Sequence, residues 1–196
     1  MKTVGVIVGS LRRNSINRKL AQAVARLASG RLDFRFIEIG DLPLYNDDLW
    51  QPAAPEPVLR MKRAVNEVDA LLFVTPEYNR SFTPAIKNAI DWGSRPRGDN
   101  SWEAKPAGII GTSPGAIGAA VGQNALKGLL TVVDTVLMGQ PEVYLSWKAE
   151  SFDDATHEVL NPDTKLFLMK FVDRFCGWID LTAQPRTDAQ ADAKPG

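Results

Sequence analysis

Two short segments of this chain gather hydroxyl, amide, guanidinium and carboxylate groups densely enough to bind a polar ligand. The first runs Gly9-Ser10-Leu11-Arg12-Arg13-Asn14-Ser15-Ile16-Asn17. It offers hydroxyls at Ser10 and Ser15, an amide at Asn17, a guanidinium at Arg12 and, if a helix starts here, backbone N–H groups with no intrahelical partner. Such a set can cradle a phosphate. The simpler alternative uses the same residues: Ser15 or Asn14 caps the helix and Arg12 is solvated. The loop lacks the second and third glycines of G-x-G-x-x-G and has no G-K-[ST]. A dinucleotide pyrophosphate needs that close backbone approach, whereas a terminal monophosphate can be held by side-chain hydroxyls.

The second segment is Thr75-Pro76-Glu77-Tyr78-Asn79-Arg80-Ser81-Phe82-Thr83-Pro84, continued by Ala85-Ile86-Lys87-Asn88-Ala89-Ile90-Asp91-Trp92. Prolines interrupt it, so its amides are not all consumed by secondary structure. Tyr78 could equally be a partly buried aromatic over a strand, and Glu77 a solvated carboxylate.

Other chemistries lack their parts. There is one cysteine, Cys176, which excludes an intramolecular disulfide and a cysteine-based zinc site, and one histidine, His157, in a polar segment. No histidine metal cluster or Ser-His-Asp arrangement can be assembled unless His157 alone serves. Cys176 lies among Phe171, Phe175 and Trp178 and reads as an inert core thiol. Lys plus Arg equals Asp plus Glu, 23 of each, so no global field recruits nucleic acid or an anionic membrane. The first apolar stretch is too short for a membrane span or a signal peptide and reads as a strand, which leaves the cytoplasm as the default location.

These loops need elements to hold them. Short, nearly continuous apolar runs at 4–8, 34–39, 70–74, 106–111 and, more weakly, 142–145 read as strands buried on both faces of a parallel sheet. Between them the period turns helical. Ile16, Leu20, Ala23, Val24 and Leu27 share one face, as do Val58, Met61, Val65 and Val68. A third helix follows Pro84, a long one is expected over 116–137, and a last begins with Asn161 as N-cap and Pro162 at its first position. The alternation predicts an α/β fold, a doubly wound parallel five-stranded sheet in the flavodoxin-like order 2-1-3-4-5. Residues 1–181 form one domain in this reading, and 182–196 a polar, disordered tail. Ligands in such sheets sit outside the carboxyl ends of the strands, where both segments fall.

Taken together, G-S-x-R-x-x-S-x-N, P-E-Y-N-x-S and the helix ending K-N-A-I-D-W resemble the NADPH-dependent FMN reductase family, which includes quinone, chromate and azo-dye reductases. The likeness continues to Thr112-Ser113-Pro114-Gly115-Ala116 and covers the chain to about Pro141. Where family members often carry Pro-Gly at the start of the third helix, this chain has Pro84-Ala85. The resemblance implies FMN as cofactor and NADPH or NADH as donor. It implies that Ser10, Arg12, Ser15 and Asn17 hold the FMN phosphate, that Pro76, Glu77, Tyr78 and Asn79 lie along the isoalloxazine largely through backbone amides, and that Ser113 and Gly115 approach the ring or ribityl chain.

No metal and no catalytic side chain is then required, because the flavin carries the hydride chemistry. The acceptor is a small molecule such as a quinone, free flavin, chromate or azo compound, reduced in a ping-pong cycle. Family members form dimers, often paired into tetramers. The segment 41–46 resembles one that borders a neighbouring subunit's site, and simple loop packing is its alternative. Trp50, Trp102 and Trp147 are candidates to line an acceptor pocket, and Glu38 reads as a strand-end charge. A flavodoxin-type electron carrier is the main rival, disfavoured by neutral charge and a Ser-x-Arg loop; a classical dinucleotide domain and a flavin-binding sensor are the others.

Overall fold

Three helix starts, at Ser15, Thr83 and Asn161, carry a side-chain cap. The computed structural model describes residues 1–183. Helix α1 (Ile16–Leu27) begins at Ser15, whose hydroxyl accepts from the Arg18 N–H at 3.2 Å. Helices α2 (Glu56–Asn66) and α3 (Pro84–Gly93) follow, the latter capped by Thr83. Helix α4 spans Ala120–Val132, and α5, Pro162–Thr182, starts at Asn161 with Pro162 in its first turn. A proline there forfeits only an N–H that had no partner.

The strands are β1 (Lys2–Val8), β2 (Leu32–Phe36), β3 (Ala70–Val74), β4 (Pro106–Ser113), β5 (Val136–Leu137) and β6 (Val143–Ser146). All pairings are parallel and the order is β2-β1-β3-β4-β5, with β6 also on β4. The flavodoxin-like α/β architecture therefore stands, with one refinement. Because β5 pairs Pro106 and Ala107 while β6 pairs Ile110 through Ser113, two short strands share the fifth position along β4. The segment around Gly139 and Pro141 interrupts them, since proline cannot donate to the ladder.

Alternate residues of β1 face opposite layers. Val4, Val6 and Val8 pack under α1 and α5 with Leu20, Val24, Phe171 and Phe175. Ile7 faces the other layer, where Leu71, Phe73 and Ile109 meet α2, α3 and α4. Both faces of the central strands are thus dry, as their unbroken apolar runs required.

The long helix expected over 116–137 is shorter. Ala119 and Asp134 sit in the left-handed region (φ 66° and 61°) and bracket it, while the Asp134 carbonyl accepts from the Ala104 N–H at 2.8 Å. Val136 and Leu137, read as helix, are edge strand instead, and Val132 is left 82% exposed. At the other end Thr182, assigned to the tail, closes α5 with its hydroxyl on the Trp178 carbonyl. Residues 184–196 lie outside the described residues.

Candidate functional site

The loops after β1, β3 and β4 all leave from the carboxyl edge of adjacent strands, so the order β1-β3-β4 puts them side by side. Gly9 anchors the first, donating to the Val74 carbonyl at 2.8 Å. A Cβ at Gly9 would lie 2.6 Å from both Ile86 Cδ1 and Thr83 Oγ1. Only glycine lets the chain turn this close to α3.

Beyond Gly9 the backbone donors are unengaged. None of the N–H groups from Ser10 through Asn17 donates to another group among the described residues. Buried or partly buried donors without partners are costly unless a ligand or water serves them. Ser10 and Ser15 are buried beneath this row, at 9% and 3% exposure. Arg12 is exposed and has neither a hydrogen bond nor an ion pair among the described residues. A cleft of about 400 Å³ opens from this loop toward the end of β2, lined by Ser10, Arg12, Arg13, Arg18 and Glu38. In it Glu38 pairs with Arg18 at 3.3 Å, both side chains largely exposed, which agrees with a strand-end charge.

Asn17 does something different from what its position suggested. Its Nδ2 donates to the Thr112 carbonyl at 3.0 Å and its Oδ1 accepts from the Thr112 N–H at 3.1 Å. The carboxamide thus replaces a strand neighbour for β4 and is 1% exposed. What Asn17 can offer a ligand is its backbone N–H at the start of α1.

In the second loop Pro76 is buried, whereas Tyr78, 43% exposed, and Asn79 stand open. Tyr78 and Ser81 exchange backbone hydrogen bonds of 2.9 and 3.0 Å, closing a turn with Asn79 and Arg80 at φ 51° and 65°. Two consecutive non-glycine residues in the left-handed region are uncommon, and such strain collects at ligand sites. The N–H groups of Glu77, Asn79 and Arg80 have no partner among the described residues. The Glu77 carboxylate does have partners: Oε2 accepts from Val121 N–H at 3.0 Å and Gly122 N–H at 3.1 Å, and Oε1 from Arg80 at 2.9 Å. Burial pushes its pKa up, but the Gly122 N–H, Arg80 and the Val121 N–H together hold it below the ordinary carboxylate value.

The third loop completes the group. Ser113 Oγ donates to the Gly115 carbonyl at 3.3 Å, and Gly115, Ala116 and Ile117 are exposed with free N–H groups among the described residues. Ser10, Arg12, Ser15, Pro76, Glu77, Tyr78, Asn79, Ser113 and Gly115 therefore lie on loops that leave the carboxyl edges of adjacent strands, and Asn17 ties the start of α1 to the end of β4.

The tryptophans divide. Trp102 is fully buried, donating Nε1–H to the Ile90 carbonyl and packing on Phe73, so it lines no pocket. Trp50 packs edge-on against Trp92. Trp147 stacks on Phe152 and donates its backbone N–H to the Ser113 carbonyl, beside the third loop. Asn88 and Trp92 of the K-N-A-I-D-W helix pin the segment 41–46: Asn88 Nδ2 and Trp92 Nε1 both donate to the Pro43 carbonyl at 2.8 Å, and Asn88 Oδ1 accepts from Tyr45 N–H. That pairing of motif and loop was not foreseen. It leaves Leu44 81% exposed. No helix of the described residues is long and apolar enough to cross a membrane, and they contain no cluster of metal-ligating side chains.

Comparison with known proteins places the chain in a family. The chain is 47% identical over 179 residues to a quinone reductase of Pseudomonas putida, covering 91% of this chain and 95% of that one. It is 46% identical to a 2-hydroxy-1,4-benzoquinone reductase of a Burkholderia species, covering 90% and 95%. Among solved structures it superposes on the flavoenzyme NAD(P)H:acceptor oxidoreductase FerB of Paracoccus denitrificans with a TM-score of 0.91 and 53% identity, over 94% of this chain and all of that one. The model of the NADPH-dependent FMN reductases matches residues 2–150, and the chain belongs to that family.

Proposed function

We propose that the rim of the three loops holds FMN and that the chain passes electrons from NAD(P)H to a quinone. The observation that carries this is the unbroken row of free N–H groups from Ser10 through Asn17 beside an unpaired Arg12, with a second set at Glu77, Asn79, Gly115 and Ala116. The first suits a phosphate dianion, the second the ring's carbonyl oxygens and N5. Bound FMN supplies hydride acceptance and two-electron delivery. The protein's own residues bind and orient. Ser10, Ser15, Arg12 and the start of α1 fix the phosphate end; the backbone of Glu77 and Asn79 faces the ring; Tyr78 stands exposed beside it, where donor and acceptor succeed one another. The names of the relatives, both quinone reductases, favour a quinone as acceptor.

Anaerobic NADPH alone is expected to bleach the flavin completely, and a quinone added afterwards to restore the colour. Initial rates at varied NADPH and quinone should give parallel double-reciprocal lines. Intersecting lines would sink the ping-pong order, and bleaching without quinone turnover would make the chain an electron carrier.

The exposed Leu44, on a loop held rigidly to α3, is a surface for a second copy of this chain. Light scattering is then expected to give a multiple of the monomer mass, and Leu44→Asp to lower it. A parent that is monomeric and fully active would remove the interface.

A further inference from the structure

Helix α4 starts without a cap of its own. Ala119 occupies the N-cap position at φ 66° and has no side chain that could accept from the first turn. The orphan N–H groups of a helix start need an acceptor when partly buried. That acceptor is Glu77, from 44 positions upstream, through Oε2 to Val121 and 45 through the same oxygen to Gly122. The two segments are also in backbone contact. A Cβ at Gly122 would lie 2.9 Å from the Ser81 carbonyl oxygen and 3.4 Å from Glu77 Cα, so glycine lets the helix start rest directly on the turn.

The charge is balanced locally. Glu77 faces the positive end of α4 and the guanidinium of Arg80, and its side chain is 9% exposed against 65% for Arg80. The carboxylate is held ionised by these partners against its burial.

We propose that Glu77 is a positioning residue: its carboxylate bolts the turn after β3 to the first turn of α4, fixing the spacing between the free N–H groups of Glu77 and Asn79 and those of Gly115 and Ala116 around the flavin ring. This rests on the flavin-binding reading above. The Glu77 side chain is occupied by α4 and Arg80, while its N–H remains free for the ring, so one residue both faces the ligand and ties down the loop that presents it.

The role predicts a loss at the ring and not at the phosphate. Glu77→Ala is expected to weaken FMN about ten-fold and riboflavin by the same factor, and to speed amide exchange at Val121 and Gly122. Glu77→Gln keeps an oxygen for the two N–H groups but loses the charge, and should recover most of the affinity, to within about three-fold of the parent. Both variants should shift the visible circular dichroism of the bound flavin, which reports ring surroundings. The measurements are flavin-fluorescence titration and dichroism on the reconstituted protein. Parent-like affinity and dichroism in both variants would overturn the proposal, and so would a loss for FMN with riboflavin unchanged. If the alanine variant does not fold, the glutamine variant carries the same test through its dichroism and its equal effect on both flavins. A parent that binds no flavin at all would instead remove the function proposed above.

Discussion

Asn17→Leu is expected to lower the free energy of unfolding by about 2–5 kcal/mol, although leucine has the same branched heavy-atom skeleton as asparagine. The carboxamide satisfies both the N–H and the carbonyl of Thr112, which is itself fully buried. Leucine leaves each without a partner, and a buried polar group stranded in this way costs about 1–3 kcal/mol. For a chain of this size that corresponds to a fall in Tm of roughly 4–20 °C. Asn17→Asp separates the two bonds. Its carboxyl can accept from the Thr112 N–H in either state, but it can donate to the Thr112 carbonyl only when protonated. The folded pKa of this new carboxyl is therefore raised above its unfolded value. The stability it contributes is fully present below the unfolded pKa and is lost as pH rises through the folded pKa. Urea denaturation of parent, leucine and aspartate proteins at acid and neutral pH measures both effects. A leucine variant within about 0.5 kcal/mol of the parent, the range of an ordinary surface substitution, would mean that the Asn17–Thr112 pair holds nothing together.

Asn17 also marks where the sequence stops being legible. As a polar residue in the first turn of α1 it reads as a ligand donor, because its local surroundings are those of a phosphate loop. Its real partner lies 95 positions away in β4, and no local pattern points there. Glu77 is the same case: a carboxylate in an exposed-looking loop proves to cap a helix that begins beyond the next strand. Features set by neighbours in the chain were readable. Asn161 caps α5 as its type and the following apolar period imply, Ser15 and not Asn14 caps α1, and β1 and β3 fall on the apolar runs.

Helix α4 ends before its apolar run, which continues through Val132, Val133, Val136 and Leu137. Tertiary contacts, not propensity, end it at Asp134, whose carbonyl is claimed by Ala104. Trp102 reads as a loop residue, yet it fills the space over Gly93, where the absence of a Cβ admits the indole against α3. A residue's burial depends on which loops return to it, and the sequence does not display that return.

Arg12→Ala is expected to weaken FMN binding about ten- to a hundred-fold and to leave riboflavin almost unaffected. Within the described residues Arg12 has no carboxylate to neutralise it, and the N–H groups of its loop are equally without partners. A phosphate monoester, largely dianionic near neutral pH, supplies the missing acceptor oxygens. A hydrogen bond to a charged group contributes about 1.5–3 kcal/mol, which sets the range of the expected loss. Arg13→Ala is the control, because it removes the same net charge from the neighbouring position of the same cleft. If the effect were a long-range field, both variants would weaken FMN alike and salt would erase the difference from parent. A direct contact makes Arg12 the larger by several-fold. Arg18 is a poor substitute for either, since its guanidinium lies over the Phe36 ring and pairs with Glu38. FAD should bind less tightly than FMN, because its pyrophosphate must continue through a loop arranged around a terminal group. Fluorescence titration of the three flavins into parent, Arg12→Ala and Arg13→Ala apoproteins decides the matter. Equal weakening of FMN and riboflavin by Arg12→Ala would show that the arginine shapes the loop and that the phosphate sits elsewhere.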